Sequence, residues 1–230
     1  PRHDLAAEPL AFEEEIDFIL SEAGRYLRVA PQRSDVKSIW VGLRPLVKPP
    51  QDDGENTKGL SREHIVVVSR SGLVTVTGGK WTTYRAMAED VLEKCAASGL
   101  LPAGASTSGH TDHLPLVGAE PTADAPKPLC EAQGWHSYGS EQGFAQTLPG
   151  HGVWLCEGLS EAMVRFAARH EYAVHVEDVL ARRSRLLFLD ARLAAQAAPR
   201  VAQILQEETD LDPALDKFLQ LADQYTLPAR

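Results

Sequence analysis

Apolar positions change their spacing along this chain of 230 residues. From Ile16 through Ile19, Leu20, Ala23 and Leu27 they fall on one helical stripe, and Glu13, Glu14 and Glu15 supply the negative charge that a helix amino terminus favours. This segment predicts a surface helix laid on a sheet. Ser38 to Val47 reads as a strand interrupted at Pro45, and residues 49 to 59 as a polar loop punctuated by proline and glycine. His64 to Ser69 and Leu73 to Thr77 are short runs rich in β-branched residues on either side of a turn, which predicts an antiparallel pair. Immediately afterwards Trp81, Tyr84, Met87, Ala88, Val91, Leu92 and Cys95 take up helical spacing.

Pro102 to Pro128 is rich in proline, glycine, serine and threonine without sustained periodicity, as in a linker or an extended wrapping segment. Beyond residue 128 no further strands are expected. Ser160 is placed to cap a helix carrying Met163, Phe166 and Ala167, and another helix begins near Val176 with Val179 and Leu180. In the alanine-rich stretch from Asp190, Pro199 is expected either to break the helix or to open the next one. A last helix follows Asp212-Pro213. The expected fold class is α+β followed by an all-α carboxy-terminal domain, divided as residues 1–101, a linker over 102–127, and helices over 128–230. The helical part is expected to fold on its own. The strands before residue 100 would leave apolar edges in need of a partner.

Hydrophobic content of 43% is enough for a core, and a net charge of −9 argues against a nucleic-acid partner, whose phosphates are met by clustered Lys and Arg. Cys95, Cys130 and Cys156 are odd in number and widely spaced, which fits reduced thiols and a cytoplasmic setting better than a disulfide framework. No run of eighteen apolar residues offers a membrane span. Peripheral membrane contact is left open.

The chemistry concentrates at the junction after the second strand. Gly78 and Gly79 carry no Cβ, so the turn can take left-handed dihedrals and another molecule can come close to the backbone. Free amides of the helix start at Gly79, Lys80, Trp81 and Thr82 then favour an anion, with the Lys80 ammonium beside them. The plainer reading is an ordinary glycine-containing helix start capped by Thr82 or Thr83. Arg44 precedes Pro45, which pushes it toward a strand end where ligands collect in α/β folds. Taken alone, Arg62 reads as a solvated side chain or one paired with Glu63, and the arginines 182, 183 and 185 read as well as a solvated face paired with Glu177 and Asp178 as they do as an anion or interdomain site. His64 opens a valine-rich strand and reads as a structural hydrogen bonder rather than a base. His110-Thr-Asp-His113, with Cys130 or His136, matches no tetrahedral zinc spacing, and no metal is expected.

Gly78-Gly-Lys-Trp-Thr-Thr-Tyr-Arg-Ala-Met-Ala-Glu-Asp90, with Trp40-Val-Gly-Leu-Arg-Pro-Leu-Val47 and Ser61-Arg-Glu-His64 before it, resembles the carboxy-terminal half of FAD-dependent glycerol-3-phosphate dehydrogenases. Ala168 to Tyr172 and Val176 to Asp190 extend the resemblance, which covers nearly the whole chain. It implies oxidation of glycerol 3-phosphate to dihydroxyacetone phosphate, with a hydride passed to FAD and electrons onward to a quinone or to oxygen. It further implies that Arg44 and Lys80 act at the reacting substrate, that Arg62 holds the phosphate, and that Gly78 to Thr82 meet the flavin. The Gly-x-Gly-x-x-Gly turn of such flavoproteins is missing from these residues: at Gly150-His-Gly152 the last glycine is replaced by Leu155. The chain therefore reads as a fragment of a longer enzyme, inactive alone, with the base in another segment. A homodimer and contact with the inner face of the cell membrane are compatible with that family. Two alternatives stand beside it. One is another amino-acid-oxidase-like flavoprotein, which usually lacks the Lys-Trp-Thr-Thr-Tyr-Arg continuation, and the other is a non-catalytic helical interaction module.

Overall fold

The computed structural model describes residues 6–43, 63–107, 109, 111–120, 127 and 131–227. About half of these residues are helical, and two small antiparallel strand pairs accompany the helices. The chain forms two compact units, one within residues 42–115 and one that joins residues 6–41 to residues 116–230.

In the first unit β1 (Ile65–Val68) pairs antiparallel with β2 (Val74–Thr77), Ile65 opposite Thr77 and Val68 opposite Val74. The intervening turn closes through the Ser69 amide, which donates to the Leu73 carbonyl at 2.9 Å, and it passes through Gly72 at a φ of +84° that a side chain would resist. A 3₁₀ turn (Trp81–Thr83) leads into α2 (Tyr84–Ala97), which folds back over both strands. None of the described residues of this unit is buried. Val67, Leu73 and Val76 keep 53%, 66% and 46% of their surface exposed, so one hairpin and one helix do not close a core.

The second unit has such a core. Its axis is α6 (Ala191–Thr209), against which α4 (Glu161–His170), α5 (Leu186–Leu189) and α7 (Leu215–Gln224) pack, with the one-turn α3 (Gln142–Ala145) against α4. Phe166, Leu180, Leu187, Ile204, Leu205 and Phe218 are the large side chains fully removed from water there. Capping follows the sequence: buried Ser160 accepts from the Met163 amide at the start of α4, and Asp190 accepts from the Leu193 amide at the start of α6. Between α4 and α5 the chain winds one π-helical stretch over Asp178–Arg183, where the sequence predicts an ordinary helix.

Several expectations are corrected here. Residues 38–43 form no strand, and residues 44–47 of the expected strand lie outside the described residues. The extended segment instead lies on the helical unit, with the Ile39 amide donating to the Tyr225 carbonyl (2.8 Å) and Ser38 Oγ to the Leu187 carbonyl (2.7 Å). Accordingly α1 (Glu13–Tyr26), which buries only Ile16, belongs to the helical unit and not to a sheet. Strands also recur after residue 128, as a minimal hairpin of β3 (Trp154–Cys156) with β4 (Leu159–Ser160). Pro199 neither breaks nor restarts a helix: α6 runs through it for 19 residues. Proline removes one backbone bond and crowds the carbonyl four residues earlier, yet Ala194, Ala198, Val201 and Leu205 are buried along the same helix. Tertiary burial outweighs that local cost.

Candidate functional site

At the exit of β2 two successive glycines turn left-handed, Gly78 at φ +78° and Gly79 at φ +79°. A Cβ placed on Gly79 would lie 2.6 Å from Met87 Sδ and 3.0 Å from His64 Cβ. Position 79 therefore needs glycine twice over, for its dihedral and for the packing beneath it. Lys80 returns to extended backbone and begins the 3₁₀ turn, its carbonyl accepting from both the Thr83 amide and Thr83 Oγ1 at 3.0 Å. The amides ahead of that bond, those of Trp81 and Thr82, have no helical carbonyl a turn behind them. No acidic side chain occupies the first turn of either the 3₁₀ stretch or α2, so nothing there competes for an anion.

Lys80, Trp81 and Thr82 are all exposed, and the Trp81 ring stacks on Tyr84 with centroids 5.4 Å apart. The predicted residues Gly78, Gly79, Lys80, Trp81 and Thr82 thus form one continuous surface at the strand-to-helix junction. Arg44 and Arg62 lie outside the described residues.

Two supports of the junction are not read from sequence. Met87 lies under Gly79, and His64 Nε2 donates to Asp90 Oδ2 at 2.5 Å, linking the entrance of β1 to α2. Met87 and Asp90 are three apart and share a helix face, which is the one signal that a sequence reader could use. His64 is a hydrogen bonder here, as its position in a strand suggested.

The remaining candidates stand elsewhere. Arg182 pairs with Glu177 at 2.5 Å and Asp178 at 3.0 Å, the neighbours that its sequence position offered. Arg183 donates to the Glu171 carbonyl. Asp178 is held below the usual carboxylate range: burial opposes this, but the His175 and Val174 amides and Arg182 outweigh it. Arg182, Arg183 and Glu171 border a cavity of about 550 Å³ within the helical unit, where burial raises the Tyr138 phenol and the Glu171 carboxyl. His113 lies 3.3 Å from Asp112, and His110 and Cys130 are outside the described residues. Among the described residues no helix is long and apolar enough to cross a membrane.

A glycine-turned strand entering an acid-free helix start with a lysine has the donor set that would suit an anion. Comparison with known proteins narrows the class. Residues 156–215 match the family model described as the C-terminal domain of alpha-glycerophosphate oxidase. The chain is 36% identical to the mitochondrial glycerol-3-phosphate dehydrogenase SDP6 of Arabidopsis thaliana, the match covering 91% of this chain and 37% of that protein. It is 35% identical to the mitochondrial glycerol-3-phosphate dehydrogenases of Bos taurus and Homo sapiens, with 91% of this chain and 31% of each relative covered. The chain belongs to the glycerol-3-phosphate dehydrogenase family, and it spans about a third of the length of the relatives it matches.

Proposed function

We propose that this chain is the carboxy-terminal part of a longer FAD-dependent enzyme that oxidises glycerol 3-phosphate to dihydroxyacetone phosphate. The observation that carries this reading is the Gly78-Gly79-Lys80 junction, with its left-handed glycines and a helix start free of acids. Those features fit a flavin, since a reduced isoalloxazine carries negative charge and calls for amide donors and a cation. Gly79, Lys80, Trp81 and Thr82 would hold it, and when bound it supplies the acceptor for the hydride leaving C2.

The residues do the rest. Lys80 holds charge at the reacting end of the substrate, Arg44 clamps the substrate oxygens beside the reacting carbon, and Arg62 grips the phosphate. The hydroxyl proton passes to a base in another segment. The electrons continue to a quinone. The full-length enzyme is read as cytoplasmic, with peripheral contact at the inner face of the cell membrane and a homodimer as compatible states. The Lys80-Trp-Thr-Thr-Tyr-Arg85 continuation favours this family over other amino-acid-oxidase-like flavoproteins.

The test is the absorbance spectrum and glycerol 3-phosphate turnover of the purified full-length protein. A flavin spectrum that substrate bleaches is the expected result. A colourless, inactive full-length protein refolded with FAD would overturn the reading.

A further inference from the structure

Three groups meet beneath the glycine turn. His64 Cβ and Met87 Sδ lie 3.0 and 2.6 Å from where a Gly79 Cβ would be, and Asp90, one turn beyond Met87 on α2, accepts a hydrogen bond from His64 Nε2 at 2.5 Å. A carboxylate only accepts, so Nε2 is the donor in this contact. This contact joins the first residue before β1 to the second turn of α2, with the Gly78-Gly79-Lys80 turn between them. Lys80 is exposed and extended, no side-chain hydrogen bond caps its helix, and its ammonium makes no ion pair or hydrogen bond among the described residues. The turn's direction is set by what lies below it.

On the reading that this junction serves glycerol 3-phosphate oxidation, we infer that His64 and Asp90 are a positioning pair that holds Lys80 in its working direction. His64 does not exchange protons with the substrate. Its imidazole is committed to Asp90, its β-carbon forms the floor under Gly79, and removing either partner frees α2 to shift along the hairpin. Among the described residues α2 is fixed to the strands by few buried contacts, since none of its side chains is buried, and one short charge-assisted hydrogen bond is then a large share of what sets its register. A small displacement of a preorganised charge lowers turnover by up to about a hundredfold without removing the binding site.

The experiment compares His64→Ala, Asp90→Ala, the double variant and His64→Gln in the full-length enzyme with FAD bound and glycerol 3-phosphate as substrate. Glutamine keeps a donor near the Nε2 position and cannot act as a base. The expected result is a fall in kcat of about ten- to a hundredfold for each alanine variant, with KM changed by less than about threefold. Flavin content per polypeptide should stay near that of the unmodified enzyme, the double variant should be no worse than either single one, and His64→Gln should restore most of kcat. The flavin reduction potential should move negative in His64→Ala and return in His64→Gln, a readout independent of turnover. Unchanged kcat in His64→Ala, losses that add in the double variant, failure of glutamine to restore turnover, or activity lost only in proportion to flavin lost would each overturn the pair. An inactive unmodified enzyme overturns the functional reading and the pair with it, whereas an active enzyme indifferent to these variants overturns the pair alone.

Discussion

Gly79 and Met87 are packed so closely that one added methyl group on the glycine would lie 2.6 Å from the methionine sulfur. The thioether can swing aside, but the His64 β-carbon at 3.0 Å and the φ of +79° cannot be relieved that way. Gly79→Ala is therefore expected to cost about 1–3 kcal/mol locally and to open the junction. Hydrogen exchange of the amides from 78 to 84 should accelerate in the variant, while exchange across α6 stays as it was. Equal protection at the junction in both proteins would show that the turn is not held as described.

Glu208 joins α6 to α4 by accepting from Arg165 Nη1 at 2.5 Å and Arg169 Nε at 2.6 Å, and it retains only 8% of its side-chain surface. The Arg169 hydrogen bond is the main cause that holds its carboxyl below the usual range, and Glu161 is depressed likewise, first by its bond to Arg200. A depressed folded pKa contributes stability that is present above the unfolded value of about 4.3 and is lost as pH falls through the folded value. The helical unit should thus melt earlier below about pH 4.5, and Glu208→Gln should flatten that dependence. At neutral pH Glu208→Ala is expected to cost on the order of 2 kcal/mol, between exposed and fully buried pairs. Thermal melts from pH 3 to 7 followed by circular dichroism check both statements.

Residues 6–41 are expected to stay with the helical unit after the chain is cut between residues 42 and 115. Glu8 accepts from Tyr225 Oη at 3.0 Å, Lys37 pairs with Asp190 at 3.3 Å, and the Trp40 ring meets Phe188 edge-on at 5.4 Å. The unit within 42–115 shows no buried residue among those described, so it should be the first to yield to protease. Limited proteolysis followed by native gel filtration should find the two peptides co-eluting. Their separation would contradict the packing of the amino-terminal segment.

What could be read from the chain was local. The β-branched runs on either side of Gly72 gave their hairpin to within a residue, and the glycine pair with its lysine marked the junction because both positions need a missing Cβ. The failures are all long-range. Ile39 meets Tyr225 across the whole chain, so an extended segment that reads as a strand finds its partner on a helix bundle. Pro199 obeys a rule of isolated helices that burial overrides, and β3 and β4 are too short for periodicity to register. In the site, His64 and Asp90 are 26 residues apart, and no spacing rule connects a strand entrance to a helix face.

In the proposed enzyme Arg62 would hold the phosphate and Arg44 the oxygens beside the reacting carbon. On that reading Arg62→Ala should penalise glycerol 3-phosphate far more than glycerol, which has no phosphate to hold, and Arg44→Ala should penalise both. Specificity constants for the two substrates decide it. Equal losses for Arg62→Ala would remove the phosphate assignment.

The central claim rests on Lys80, and the most direct measurement is the kcat of Lys80→Ala in the full-length enzyme, normalised to bound flavin. Loss of one preorganised charge at the reacting centre should lower kcat by on the order of a hundredfold or more while flavin content stays near normal. A variant that keeps its flavin and turns over glycerol 3-phosphate at nearly the original rate would contradict the account.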